Sequence, residues 1–564
     1  MGTYLNPGRQ SFEEAIGSEI YVDKTEMLAY LNTLVNTKQK YVSVSRPRRF
    51  GKTMAADMVC AYYDREAGAR GLFEGTRLAA SGPVVTPRGG LAWDAHLGAF
   101  DVVRLSMTDF LEGSGTVADM LGYLTDEVTG ELMDANPGVR WGARVNLRTV
   151  MGKAYAATGR QFVVVIDEWD AVFRTWRDDE GGQRAFLDFL RDWLKDKPYV
   201  ALAYMTGILP IKKYGQHSAL NMFDEYSMVQ PMRFAEFTGF TEGEVRELCD
   251  RYKMDFRDVS RWYDGYKVSD YIPVAKRQLF REGGYRDHRI SVYNPLSVVK
   301  AMQNGVVDNY WNKTETYEAL ADYIRRDYDG LKAAVALLMD GGRLRVDIAT
   351  YQNDMTTFHG RDDVLALLIH LGYLGYEGDE AGGRIDSEHG EIFIPNREIL
   401  EEFRASTRSP EWAAPLRAFE RSKELVRATW DGDEERVAEL LEEAHDRASN
   451  LTYNDEAALS YAVRLAYYAA QLHYTEVVEL DSGKGYADVC YLPSPKHPEV
   501  PALVVELKRG RPADTALDQI RARNYPARLE HYRGNILLVG VSYDAGARSG
   551  GSAFKRHSCV IERA

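Results

Sequence analysis

A strand, a tight loop and the first turn of a helix constrain the fold more than any other segment of the chain. Residues 41–53 read Tyr-Val-Ser-Val-Ser-Arg-Pro-Arg-Arg-Phe-Gly-Lys-Thr, a strand pattern followed by a basic loop. When Gly51, Lys52 and Thr53 open a helix, successive backbone N–H groups and the positive helix end point at an anion. The segment therefore predicts a phosphate-binding loop. Lys52 is expected to reach the outer phosphates of a nucleotide, and the Thr53 hydroxyl to ligate Mg²⁺.

A second segment supplies the acids that nucleotide hydrolysis needs. Residues 162–168 read Phe-Val-Val-Val-Ile-Asp-Glu, a continuous apolar run typical of a strand buried in a parallel sheet. Asp167 is expected to hold the same Mg²⁺ through water, and Glu168 to polarise the attacking water. Thr206, near the end of the apolar run 199–207, has the position of a residue that senses the terminal phosphate. A plain strand-capping threonine fits the sequence equally well.

The loop departs from the usual phosphate-loop pattern at its first position. A glycine normally stands where this chain has Arg46, and a side chain is disfavoured where the backbone needs a positive φ. We therefore expect the loop to bend differently, with Arg46, Arg48 and Arg49 adding charge around the phosphates. The alternative, a basic turn beside an unrelated strand, is disfavoured because loop and acids agree in order and strand context. The predicted nucleotide-binding residues are Arg46, Pro47, Arg48, Arg49, Phe50, Gly51, Lys52, Thr53, Asp167 and Thr206.

Length and composition predict a multidomain protein of the cytoplasm. The 564 residues exceed what one hydrophobic core usually supports, and a hydrophobic content of 45% is ample for several packed cores. The N-terminus carries no apolar signal, and no run of 18 apolar residues occurs, so we expect neither secretion nor a membrane span. The four cysteines form no CxxC pair, which fits a reducing compartment rather than disulfides or a zinc site: Cys60, Cys249, Cys490 and Cys559.

The charge distribution restricts how the chain could meet nucleic acid. A formal net charge of −14 argues against a protein that coats nucleic acid generically, because phosphate binding depends on clustered cations. Residues 501–540 nevertheless contain seven Lys and Arg against four Asp and Glu, a local balance of +3. A local basic groove therefore stays compatible with the composition.

Alternating apolar strands and helices predict an α/β fold class for the chain. The first domain is expected to be a phosphate-loop parallel sheet with flanking helices, and Thr241 and Glu244 form a capping box at the start of the helical region that follows. The predicted divisions are an ATPase-type domain (1–235), a helical lid-type region (236–345), a winged-helix-like segment (346–410), a helical connector (411–450) and a C-terminal α/β domain (451–564).

The winged-helix-like segment is predicted from a Leu-rich helix and a hairpin. The helix covers 364–371, and a Gly-rich turn leads to a strand at 391–395. Winged helices often read DNA, but this segment is rich in Asp and Glu. We therefore favour a structural or protein-contact role for it.

A second group of charged residues lies in the C-terminal domain. Asp488 begins a strand, and after a Pro-rich connection the next strand carries Glu506 and Lys508, two residues apart and so on one face. Gln519 lies on the following helix, and Glu456, on a helix upstream, could add a carboxylate. Acids on neighbouring strands suit Mg²⁺ or Mn²⁺, and a nearby lysine can orient water, as metal-assisted phosphodiester hydrolysis requires. The alternative is an ordinary hairpin with a surface Glu/Lys pair.

With both groups in view, the chain resembles a prokaryotic family that joins an N-terminal AAA-ATPase-like domain to a C-terminal domain of the PD-(D/E)XK nuclease superfamily. The resemblance implies a restriction-endonuclease-like fold for the C-terminal domain. It further implies that Asp488, Glu506 and Lys508 are the nuclease triad, with Gln519 supporting it and Glu456 as the superfamily's helical glutamate. An arginine at the first loop position is usual in this family, and the family implies no particular substrate. The segments that carry the resemblance are 21–25, 46–53, 166–168, 206–207, 262–266, 293–295, 368–374, 483–488, 505–508 and 519–520.

Two functional hypotheses from different classes follow. The leading one is a cytoplasmic ATPase coupled to a Mg²⁺-dependent nuclease-like domain that acts on nucleic acid, with DNA favoured, in defence or mobile-element control. Its rival is an ATP-dependent switch or scaffold whose C-terminal nuclease fold binds a protein partner without cutting. The overall acidity and the acidic winged-helix region, which could itself contact a protein partner, favour this rival. A signalling ATPase that oligomerises is a third hypothesis. The sequence leaves open DNA against RNA, the oligomeric state, the arginine finger and the pathway.

Overall fold

The computed structural model of the protein divides into two compact units. The first unit contains Met1–Leu320 and Arg345–Glu402, and the second contains Ala321–Leu344 and Phe403–Ala564. Among the described residues, no helix is both long enough and apolar enough to cross a membrane. The structure describes residues 2–86, 89–142, 145–214, 217–218, 220–269, 289–311, 316–325, 328, 330–353, 355–381, 384–446, 456–481, 486–523, 529, 532, 534–544, 548–549, 552–553 and 556–564.

The centre of the first unit is a five-stranded parallel sheet, which confirms the predicted α/β class. Each of its neighbouring pairs runs parallel, so the carboxyl ends of the strands share one edge. Ser45 pairs with Gly207, and Ser106 with Asp167, at that edge. Ligands bind beyond this edge in open parallel sheets. In spatial order the strands are Asp101–Ser106, Phe162–Asp167, Val200–Gly207, Tyr41–Ser45 and Asp224–Tyr226.

Both faces of this sheet are covered, which explains why its strands Phe162–Asp167 and Val200–Gly207 read as near-continuous apolar runs. Val163 and Val165 face one hydrophobic core, and Val164 and Ile166 face the other, because successive strand residues point to opposite faces. The helices of the first unit that precede residue 240 are Gln10–Ile16, Glu26–Leu34, Lys52–Tyr63, Arg70–Phe73, Arg77–Ala80, Met107–Leu111, Val117–Asp134, Leu147–Thr158, Ala171–Thr175 and Glu180–Leu194.

Smaller sheets and further helices complete the first unit. The predicted capping box is confirmed: the Thr241 N–H donates to Glu244 Oε2 at 2.8 Å, and Thr241 Oγ1 accepts from the Glu244 N–H at 3.4 Å. The helices that belong wholly to the first unit are Glu242–Tyr252, Phe256–Tyr263, Pro295–Asn304 and Arg361–Leu371, and the chain passes from one unit to the other within the helices Thr316–Arg325 and Arg397–Ser406. The strands are Phe240–Thr241, Arg289–Tyr293 and Tyr266–Ser269 in one sheet, Leu344–Asp347, Arg384–Phe393 and Gly375–Ala381 in another, and the pairs Val84–Thr86 with Gly89–Leu91 and Lys213–Tyr214 with His217–Ser218.

The second unit is built on a mixed five-stranded sheet. The second strand is antiparallel to both the first and the third, the third and fourth run parallel, and the fifth is antiparallel to the fourth. In order they are Tyr474–Asp481, Tyr486–Pro493, Ala502–Arg509, Ile536–Asp544 and Arg556–Arg563. The remaining elements are the helices Leu331–Met339, Ala413–Asp431, Glu434–Asp446, Glu456–Ala466 and Asp514–Arg523, the 3₁₀ turns Pro410–Trp412 and Tyr468–Leu472, and the hairpin Arg548–Ser549 with Ser552–Ala553.

Candidate functional site

The phosphate loop, residues 46–51, leaves the sheet at the shared carboxyl edge and opens the helix Lys52–Tyr63. Gly51 caps this helix with φ +82°, a conformation that glycine adopts without steric cost. Arg49 also has a positive φ, +70°, whereas Arg46 does not. The loop therefore bends at Arg49 and Gly51, and the expected steric conflict at its first position does not arise.

Arg46 is directed into the protein. Its side chain is only 2% exposed, and its guanidinium donates to the carbonyl oxygens of Ser45 at 2.8 Å, Tyr226 at 2.9 Å and Phe234 at 3.3 Å. Burial lowers the pKa of Arg46 to about 9. Of the three loop arginines, this one ties the loop to the edge strand and to the segment after it, and its donors are committed to those carbonyls.

Two of the other loop residues, Arg49 and Phe50, contact distant parts of the first unit. Arg49 Nη1 donates to the carbonyl oxygens of Tyr310 at 3.0 Å and Trp311 at 2.9 Å. The Phe50 carbonyl accepts from the Gly239 N–H at 3.1 Å. Arg48 is exposed and faces the cavity described below. The basic loop is therefore held from several sides, by contacts that its own sequence does not reveal.

Lys52 lies over the loop that it follows. Its ammonium donates to the carbonyl oxygens of Arg46 at 3.0 Å and Pro47 at 2.8 Å, and the residue is 8% exposed. Burial lowers the pKa of Lys52 to about 8, although the carboxylates Asp167 and Glu168 favour its charged form. The cation is thus held by the carbonyl oxygens of the first two loop residues.

The two predicted acids and Thr206 are brought together at the ends of neighbouring strands. Asp167 Oδ1 accepts from the Thr206 hydroxyl and from the Glu168 N–H at 3.0 Å. Glu168 has φ +50°, a left-handed conformation that is unusual outside glycine and is found often at active sites. Its carboxylate Oε2 accepts from Arg174 Nη2 at 2.8 Å.

Asp170 and Arg174 belong to this group but were not among the predicted site residues. Asp170 is fully buried and accepts from the backbone N–H groups of Ile208 at 3.1 Å and Leu209 at 3.0 Å. Arg174 Nε lies 3.4 Å from Asp170 Oδ2. Burial opposes the charge of Arg174, but Asp170 and Glu168 outweigh it and raise its pKa. The i,i+4 spacing of Asp170 and Arg174, directly after the acid pair, is the sequence signal that could have found them.

A cavity of about 830 Å³ is lined by Glu168 and Arg174 of this group, by residues of the phosphate loop and by apolar side chains. Its polar lining includes Gly51, Lys52, Thr53, Glu168 and Arg174. The volume falls within the range of about 300–1,000 Å³ typical of small-molecule sites. The lining therefore combines charged groups suited to phosphates with apolar side chains suited to a flat ring. Its apolar part includes Phe12, Ile20, Tyr21, Val22, Met58, Phe237, Phe240, Leu296 and Val299, and Ser18, Lys24 and Gln303 are further polar residues of the lining.

The second predicted group assembles in the second unit. Lys508 Nζ lies 3.0 Å from Glu506 Oε1, which also accepts from the Gln519 side-chain amide. Asp488 Oδ2 accepts from the Leu507 N–H at 2.7 Å, because Val489 and Val505 are paired across the two strands. Glu506 is only 1% exposed.

The metal ligands proposed for this group are only partly described. Glu456 begins the helix Glu456–Ala466, but its side chain lies outside the described residues. In the part of the chain that the structure describes, no group of three or more His, Cys, Asp and Glu side chains is arranged to hold a metal ion. Asp488 and Glu506 alone supply the described carboxylates.

A comparison with protein families supports an AAA-ATPase-like domain within the first unit. Residues 7–216 match the family model described as "Predicted AAA-ATPase", which confirms the AAA-ATPase-like part of the resemblance. The match does not extend to residues 451–564. The structure of the Aeropyrum pernix ORC2 protein, solved as ADPNP-ADP complexes, has 12% sequence identity and a TM-score of 0.28, and the alignment covers 71% of this chain and 97% of that one. Comparison with curated proteins gave no match.

Proposed function

We propose that the first unit binds and hydrolyses ATP in the cavity of the phosphate loop. The observation that carries the proposal is the cavity itself, whose lining combines Lys52, Thr53 and Glu168 with apolar side chains. Thr53 and Asp167 offer hydroxyl and carboxylate oxygens, the hard donors that suit Mg²⁺. When bound, Mg²⁺ would neutralise charge on the outer phosphates.

The side chains of this chain would share the remaining work. The Lys52 ammonium would exchange its two loop carbonyls for phosphate oxygens, gaining stronger charge-assisted hydrogen bonds. The Glu168 carboxylate would leave Arg174 and accept a proton from the attacking water. Thr206 would keep Asp167 oriented through its hydroxyl. The apolar side chains of the lining would hold the base.

A binding measurement with one matched control tests the first half of this proposal. In Lys52→Ala, we expect ATP affinity measured by calorimetry to fall at least tenfold, since a charge-assisted contact contributes about 1.5–3 kcal/mol. Lys38→Ala is the control, because the Lys38 side chain is 92% exposed and precedes the strand Tyr41–Ser45 that leads into the phosphate loop. Equal ATP affinity in both variants would show that the nucleotide, if bound, lies elsewhere.

For the second unit we propose a Mg²⁺-dependent nuclease-like activity on nucleic acid, with DNA favoured, coupled to the ATPase. The supporting observation is that Asp488, Glu506, Lys508 and Gln519 converge, with two carboxylates that suit Mg²⁺ or Mn²⁺. The proposed setting is defence or mobile-element control. The order of the strands in the sheet of the second unit supports the restriction-endonuclease-like fold that the resemblance implies, since the helix Asp514–Arg523 connects a parallel pair of strands.

Cleavage assays with Asp488→Asn and a control on the neighbouring helix separate catalysis from mere folding. Asp518→Asn is the matched control, because the Asp518 side chain is 75% exposed and lies next to Gln519 in sequence. We expect single- and double-stranded DNA and RNA assays with Mg²⁺ to show cleavage by the control protein and none by Asp488→Asn. Wild-type protein that cuts none of these substrates would defeat the nuclease proposal.

The switch or scaffold is the second candidate, and one observation favours it. Glu506 Oε1 already accepts from both Lys508 and Gln519, which leaves this oxygen engaged within the protein. In this alternative a protein partner binds through the acidic segment 346–410. It predicts that Asp488→Asn leaves biological activity intact, whereas Lys52→Ala abolishes it.

A further inference from the structure

A separate cavity of about 370 Å³ lies within the second unit. It is bounded by the helix Ala413–Asp431, the end of the 3₁₀ turn Tyr468–Leu472 and the loop that follows the strand Tyr486–Pro493. Tyr474 pairs with Pro493 at this end of the sheet, whereas Asp488 lies near the other end of the same strand. Positions 488 and 493 are five steps apart along the strand, or about 17 Å at the strand rise of about 3.3 Å per residue. The cavity is therefore distinct from the Asp488 group. Its polar and aromatic lining comprises Asp340, Lys423, Arg427, Trp430, His473 and His497.

One face of the helix Ala413–Asp431 supplies two cations and an aromatic ring. Lys423, Arg427 and Trp430 are spaced four and three residues apart, so they share that face. Lys423 Nζ is held 3.0 Å from Asp340 Oδ1 and 3.3 Å from Glu420 Oε1. The exposed Arg427 guanidinium forms no ion pair with any residue that the structure describes. One cation is thus fixed in place, and the other has its donors available.

His473 adds a donor or acceptor that the protein does not use. Its Nδ1 is buried and has no hydrogen-bond partner among the described residues. The centroid of its ring lies 4.8 Å from that of His497 and 5.1 Å from that of Trp430. A buried polar atom without a partner costs free energy that a hydrogen-bonding ligand would recover.

We propose that this cavity binds the phosphomonoester of a nucleotide, either a free mononucleotide or the phosphorylated end of a nucleic-acid strand. Lys423, Arg427 and His473 approach the cavity from two elements, and a tetrahedral phosphate can accept from three donors at once. A carboxylate has only two oxygens for them. The Trp430 ring adds an apolar wall for the sugar or base. The proposal goes beyond the activities proposed above, since it requires neither ATP hydrolysis nor cleavage at Asp488.

The test uses the full chain carrying Lys52→Ala, so that the phosphate-loop cavity contributes as little as possible. The ligands are AMP, inorganic phosphate, and a fluorescein-labelled trinucleotide with either a 5′-phosphate or a 5′-hydroxyl. We expect binding that depends on the phosphate, and a loss of about tenfold in Arg427→Gln, because this variant loses a charge-assisted hydrogen bond to the phosphate. Arg421→Gln is the matched control: Arg421 lies on the same helix but pairs with Glu443 at 2.7 Å and does not line the cavity.

The outcomes separate the two sources and include a refutation. Binding of AMP with a similar affinity to the phosphorylated trinucleotide assigns a free nucleotide, and much tighter binding of the trinucleotide assigns a strand end. Equal binding of the 5′-phosphate and 5′-hydroxyl trinucleotides would overturn the proposal. Unchanged affinity in Arg427→Gln would do the same. Because Arg427 is exposed, its variant is expected to unfold at the same temperature as Arg421→Gln, and a thermal scan checks this. Failure here would leave the ATPase proposal untouched.

Discussion

Gly372 is the position where one methyl group should disturb the phosphate loop from a distance in sequence. This glycine ends the helix Arg361–Leu371 with φ +88°. A Cβ atom there would lie 2.7 Å from Pro47 Cβ, 2.9 Å from Pro47 Cγ and 3.0 Å from Trp311 Cη2. Pro47 is a rigid ring within the phosphate loop, so relief of the contact requires the loop or the helix end to move.

The cost of Gly372→Ala in free energy has two parts. The left-handed backbone costs an L-residue about 1–2 kcal/mol, and an extra methyl group in a packed interior costs about 1–3 kcal/mol. Gly305 caps the helix Pro295–Asn304 with φ +65°, and a Cβ there meets no atom of the described residues within 4 Å. Gly305→Ala therefore carries the first cost without the second.

Calorimetry with ATP and thermal unfolding distinguish the two variants. We expect both to lower the melting temperature, and only Gly372→Ala to weaken ATP binding, by about 5–30-fold, since 1–2 kcal/mol of loop displacement must be reversed on binding. If Gly372→Ala and Gly305→Ala bind ATP equally well and unfold at the same temperature, the inferred steric link between this helix end and the loop is wrong.

Two further predictions concern buried charges in the first unit. Arg46→Lys should lower the melting temperature while leaving ATP turnover per folded molecule within about twofold, because lysine cannot reach all three carbonyls; a large loss of turnover at unchanged stability would instead indicate a phosphate contact. Burial raises the pKa of Glu398 to about 7 although the carboxylate accepts from Ser297, Tyr310 and Trp311, so the folded unit binds this proton more tightly than the unfolded chain. Stability should therefore fall by about 3 kcal/mol as pH rises from 4.5 to 7, and Glu398→Gln should remove this component. Urea unfolding of the wild-type protein and of Glu398→Gln at pH 5 and pH 8 checks this prediction. A difference in unfolding free energy between the two proteins that is the same at both pH values would contradict it.

The parts of the site that could be predicted are those formed by residues adjacent to one another in the sequence. The strand, loop and helix around Lys52 follow from adjacent residues, and an apolar run that ends in Asp167 and Glu168 marks a buried strand. Carboxyl ends of parallel strands meet at one edge, so their convergence could also be predicted. The inward direction of Arg46 could not, because its acceptors Tyr226 and Phe234 are far away in the chain.

In the second unit, too, some features could be predicted from the sequence and others could not. Two acids separated by a connection between strands predict neighbouring side chains, and the structure places Asp488 and Glu506 on adjacent strands. The cavity beside Trp430 was not predicted, because Asp340, His473 and His497 come from separate segments that only tertiary packing joins. The feature of the sequence that points to this cavity is the spacing of Lys423, Arg427 and Trp430 on one face of the helix Ala413–Asp431, which lies within the predicted helical connector.

ATP turnover by Glu168→Gln tests the central claim most directly. The account predicts that wild-type protein with Mg²⁺ releases phosphate from ATP, and that the variant binds ATP with unchanged affinity but hydrolyses it about 100-fold more slowly or worse, since a general base contributes about 10²–10⁴-fold. Hydrolysis by Glu168→Gln at the wild-type rate would contradict the account, because the reacting water would then not lie beside this carboxylate.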